Sequence, residues 1–170
     1  MRVLIVALVI IVNFILQTTV FGYIEIIGVK PNTMLVIIAV YAILRGDVEG
    51  AIVGLCAGFL QDLFFSDALG HYALLGALLG FFCGKPFKNF YREHTMLPLL
   101  LTAGAIMVYE FVFYVSRFLF EGKVDLSYYF IRIILPETVY TMLFALPVYH
   151  LVFKLNNFLE KRENSRRKFF

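Results

Sequence analysis

Val48-Glu49-Gly50-Ala51-Ile52-Val53-Gly54-Leu55-Cys56-Ala57-Gly58-Phe59-Leu60-Gln61-Asp62-Leu63-Phe64-Phe65 decides the fold. Between Glu49 and Gln61 every residue is apolar or glycine. The hydrocarbon core of a bilayer is about 30 Å thick, and a helix needs about 20 residues, or ~17 at the least, to cross it. The run is long enough for that and shows no strand-like alternation. Backbone groups left unpaired in lipid are costly, so it must be a helix. It also carries Gly50, Gly54 and Gly58 at a spacing of four, which Asp62 continues.

Working outward, the chain repeats this composition almost without pause. Hydrophobic residues make up 61% of its 170 residues, and the mean hydropathy is +0.85, too high for a soluble domain. The apolar runs predict spans at 3–23, 31–46, 48–65, 70–86, 95–119 and 128–153. The expectation is an all-α membrane protein, with 1–153 as a six-helix transmembrane domain and 154–170 as a basic cytoplasmic tail. The first run follows Met1-Arg2 as a signal peptide would. No small-residue cleavage site follows it, so it reads as a retained span. The second span is the weakest, with fourteen residues between Lys30 and Arg45, and is expected to be short, tilted or partly re-entrant.

Charge orients the spans. With the N-terminus inside, the cytoplasmic side holds Arg2, Arg45, Lys85, Lys88, Arg92, Lys154, Lys161, Arg162, Arg166, Arg167 and Lys168. Lys30, Arg117, Lys123 and Arg132 fall outside. This asymmetry among the 15 basic residues follows the positive-inside rule and predicts both termini in the cytoplasm of a multi-pass protein of the cytoplasmic membrane.

Gly76, Gly80 and Gly84 form a second ladder on the following span. Small residues four apart let helices approach closely, and packing drives helix association in lipid. The ladders are read in two ways: the two helices pack on each other or on neighbours in the chain, or one ladder receives a partner's helix.

Asp62, Glu110, Arg117, Arg132 and Glu137 lie inside predicted spans. Ionisable groups are expensive there and face a bundle interior, a partner or water. At 1.5 Å per residue the three carboxylates sit roughly 18–24 Å from the cytoplasmic boundary. Glu110 and Arg117 share a helix face, whereas Arg132 and Glu137, five apart, do not. A polar cluster opening outward is expected, serving as glue between helices, as a site for a partner's polar group, or as an ion or proton path. Pro136 and Pro147 are expected to interrupt the last span's hydrogen bonds.

At the inner edge, Lys85, Lys88 and Arg92, and later Lys161, Arg162, Arg166, Arg167 and Lys168, interleave with aromatics. This suits an anionic lipid surface or a cytoplasmic protein, and the patch is too small and too tied to the membrane for nucleic acid. Cys56 and Cys83 both lie in apolar spans, which suggests filler between helices. His71, His94 and His150 are scattered, so no metal centre, cofactor or catalytic set is expected and the chain is not read as an enzyme.

The ordered set Leu44-Arg45-Gly46-Asp47-Val48-Glu49-Gly50, Gly54 and Gly58-Phe59-Leu60-Gln61-Asp62 resembles the rod-shape-determining protein MreD family. Gln17-Thr18-Thr19, Pro31-Asn32, and Gly70 with Ala73-Leu74 are similar to it as well, so the resemblance covers nearly the whole chain. It implies a non-catalytic subunit of bacterial cell-wall elongation that accompanies an MreC-like protein, with MreB, RodA and a transpeptidase penicillin-binding protein in the same assembly. The implied fold is similar to the six-helix substrate-binding component of energy-coupling-factor transporters. Against this stands the alternative of a small-molecule-binding component of such a transporter. It would need longer polar outer loops, and small residues on the first helix, where residues 3–16 offer only Ala7.

Overall fold

Each predicted span holds a helix in the computed structural model, which describes residues 2–20, 23, 30–65, 70–85, 96–121 and 130–167. The side chains of 96–97, 117–121, 130 and 160–167 are not part of that description. The helices are α1 (Arg2–Thr19), α2 (Thr33–Arg45), α3 (Asp47–Phe65), α4 (His71–Gly84), α5 (Met96–Glu121) and α6 (Leu135–Arg167). A π turn, Phe130–Ile134, runs directly into α6. Among the described residues there is no strand.

Four helices are long and apolar enough to cross a membrane: α1, α3, α5 through Pro98–Ser116, and α6 through Ile131–Leu159. The other two are short, α2 with 13 residues and α4 with 14. At 1.5 Å per residue they are about 20 Å long.

Burial explains the weak second span. Every residue of α2 from Thr33 to Leu44 is buried, and α2 touches each of the other five helices. A helix that is apolar all round belongs in a core. Protein, not lipid, surrounds α2, so its length need not match the bilayer. Asn32 caps it, accepting from the Leu35 N–H at 3.4 Å. Gly46 ends it at φ 103°, a backbone region that disfavours side chains. One residue thus turns the chain from α2 into α3.

The pairing of α3 with α4 is the most extensive in the bundle, and the two glycine ladders meet in it. A Cβ on Gly54 would overlap the Gly76 carbonyl, one on Gly80 the Gly50 carbonyl, and one on Gly58 the Tyr72 carbonyl. Gly84 lies against Gly46 and Asp47. The helices are therefore antiparallel and packed backbone to backbone.

Pro136 lies where the π turn passes into α6, and the helix continues through Pro147. The helix runs on past residue 153 to Arg167 and buries Asn156 and Leu159.

Candidate functional site

Asp62 is 1% exposed. One carboxylate oxygen accepts the Tyr72 N–H at 2.9 Å, and the other accepts the Ala73 N–H at 2.8 Å. These N–H groups lie in the first turn of α4, which have no partners within their own helix. The residue before α4, Gly70, has no side chain to cap it. Asp62 of α3 supplies that cap from across the hairpin, and its negative charge meets the positive end of the α4 dipole.

Beside this cap, His71 Nε2 lies 3.0 Å from Ser116 Oγ and joins α4 to α5. The Ser116 hydroxyl donates to the Phe113 carbonyl at 2.8 Å. The Tyr72 and Phe113 rings pack at 4.8 Å, and Tyr109 stacks on Phe113 at 6.1 Å.

Tyr109 is buried and stands within electrostatic reach of Glu110, Tyr72, Asp62 and Glu137. Glu110 is buried on α5 and interacts with Glu137 on α6. Asp62, Glu110 and Glu137, on three helices, thus all act electrostatically on Tyr109. Arg132 is exposed in the π turn. Arg117 lies on α5, with its side chain outside the described residues.

A second set of polar contacts joins α1, α2 and α6. The Thr33 hydroxyl donates to Asn13 Oδ1 at 2.9 Å. Gln17 Nε2 donates to Asn32 Oδ1 at 3.2 Å, and the Asn32 N–H donates to the Thr141 hydroxyl at 3.0 Å. A third set closes the Gly46 turn. Arg45 donates twice to Glu49, at 2.9 and 3.0 Å, and the Tyr41 hydroxyl donates to the same carboxylate at 3.3 Å.

Lys85, directly after α4, is exposed, with its ammonium 4.9 Å from the Phe81 ring centre and 5.0 Å from that of Phe82. Lys88, Arg92 and Lys168 lie outside the described residues. Lys161, Arg162, Arg166 and Arg167 fall on the last turns of α6. An apolar groove of about 520 Å³ runs between α4 and α5. No group of metal-binding side chains occurs among the described residues.

Sequence reasoning passed over Asn13, Thr33, Tyr72, Tyr109 and Thr141. The first, second and last had a usable signal, since a lone Asn or Thr in an apolar helix is a ready interhelical hydrogen-bonding group.

The polar positions that carried the family resemblance meet in pairs in this fold: Gln17 with Asn32, Asp62 with the Gly70–Ala73 turn, and Arg45 with Glu49 across Gly46. Comparison with curated proteins and with solved structures gave no match. A family model described as rod shape-determining protein MreD matches residues 1–159. With that match over nearly all of the bundle, the chain belongs to the MreD family.

Proposed function

We propose that the chain is a non-catalytic scaffold of the cell-wall elongation machinery, holding an MreC-like partner in the membrane and so helping to position peptidoglycan synthases. Membership of the MreD family gives the chain a role in determining rod shape. The observation that carries the finer reading is how its distinctive polar groups are used. Asp62 caps α4, Gln17 holds Asn32, and Glu49 holds Arg45. Each fixes one helix against another. A bundle braced in this way presents a constant surface, which suits positioning better than chemistry.

That surface is apolar. Leu8 on α1, Leu63 on α3, Leu100 on α5 and Leu143 on α6 all point outward. Recognition of a single-span partner therefore takes place helix against helix, within the bilayer, where close packing is the main attraction. Both termini lie in the cytoplasm in this reading, and all six helices cross.

Cysteines placed singly at those four leucines, with cysteines along the membrane span of a co-expressed MreC-like protein, test the reading. A disulfide is expected from one face, and the partner is expected to co-purify in mild detergent. Recovery of ATPase subunits without the MreC-like protein would refute the reading in favour of a transporter component.

A further inference from the structure

The groove between α4 and α5 is a slot of definite shape. Its walls run from Leu75 to Cys83 on α4 and from Leu100 to Val112 on α5. Leu100 and Val112 are twelve rises of 1.5 Å apart, which gives a length of about 18 Å. Its volume is about 520 Å³. Apart from the Tyr109 hydroxyl and the Cys83 thiol, its lining side chains are hydrocarbon. At Gly104 it lies open, since an added Cβ would meet no atom within 4 Å.

One end of the slot is charged. Phe82 belongs to its wall, and the Lys85 ammonium lies 5.0 Å from the centre of that ring. Lys85 follows α4 directly, at the end of the bundle where the basic residues of the sequence accumulate. An apolar slot ending in an ammonium matches an amphiphile with one negative phosphate at the head of a hydrocarbon tail.

We propose that the α4–α5 slot is a specific site for an anionic phospholipid, with one acyl chain lying along Leu101, Gly104 and Val108 and the phosphate on Lys85. The slot shares Leu100 with the surface open to a partner, and lipid binding is tested on the chain alone.

Native mass spectrometry of the detergent-purified chain tests this, with phosphatidylglycerol and phosphatidylcholine of the same acyl chains as probes. Phosphatidylglycerol is expected to bind about fivefold more tightly, the effect of one basic residue facing an anionic head group. Lys85→Gln abolishes that preference and leaves phosphatidylcholine binding as it was. Gly104→Leu puts a side chain into the slot and lowers occupancy by both lipids at least tenfold, with the helical circular dichroism unchanged. Equal binding of the two lipids by the unaltered chain overturns the proposal. So does a phosphatidylglycerol preference that survives Lys85→Gln, a measurement that stands even if Gly104→Leu fails to fold. Crosslinking of Leu101→Cys to a helix of a partner or a second copy, with no lipid retained, also overturns it.

Discussion

Asp62 is the residue on which the turn of the α3–α4 hairpin depends. Its carboxylate serves two N–H groups that have no other acceptor in their helix, and it does so while almost wholly buried. Asp62→Ala leaves both N–H groups unsatisfied and is expected to cost about 3 kcal/mol, given 1.5–3 kcal/mol for a hydrogen bond to a charged group. Asp62→Asn keeps one acceptor oxygen but turns amide hydrogens toward the second N–H, so it recovers at most about half of that. Unfolding in mixed detergent micelles measures both. The Asn13–Thr33 bond is a weaker test of the same idea. A double-mutant cycle with Asn13→Ala and Thr33→Ala should show a coupling of about 0.6–1.7 kcal/mol. These roles differ in how visible they are in a sequence. A carboxylate in an apolar run advertises itself, as Asp62 and Glu110 do. Its partners here are backbone N–H groups ten and eleven residues away, and those carry no signature. Tyr109 gives even less sign, because an aromatic residue in an apolar helix looks like any other core residue.

At the scale of helices, the glycines divide by where they face. Gly54 lies against the Gly76 carbonyl, whereas Gly104 opens onto the α4–α5 groove. Gly54→Ala must therefore push α3 and α4 apart, at a cost of about 2 kcal/mol for overpacking. Gly104→Ala is expected to be neutral or to stabilise by about 0.5 kcal/mol, through helix propensity alone. A pair of melting curves decides whether the ladder, rather than glycine itself, matters. The ladder spacing was plain in the sequence, but which surface each ladder met was not. Spacing defines a face and leaves its partner open, and only the antiparallel register of α3 and α4 answers that. The short run 31–46 shows the reverse limitation. A window judged against the thickness of a bilayer marks it as doubtful, although α2 is the most enclosed helix in the bundle. Burial by the other five helices replaces the length requirement, and that burial is a property of the assembly and not of the window. The π turn before α6 and the helical continuation past residue 153 lay beyond simple hydropathy for a similar reason: hydropathy locates an apolar stretch, while hydrogen bonding sets where a helix begins and ends.

For the molecule as a whole, topology is the claim most open to test. Six crossings with the N-terminus inside would place Thr19, at the end of α1, outside, and Lys154, on α6, inside. Thr19→Cys is expected to react with a membrane-impermeant maleimide in intact cells, and Lys154→Cys only after permeabilisation. Labelling of both from outside would mean an even number of crossings between them, where six spans require five, and would undo the orientation. The bundle also has a tall side and a low one. On the low side α4, with 14 residues, turns Leu74, Leu78 and Phe82 outward. A wall about 21 Å high stands there in a hydrocarbon film about 30 Å thick. Such hydrophobic mismatch is relieved by thinning the adjacent bilayer or by tilting, at a fraction of a kcal/mol per Å. A dent in the film costs less when two dents share it. The short α4 wall thus gives the bundle a reason to gather with other membrane proteins of low profile, in thin patches of membrane, before any direct contact is made.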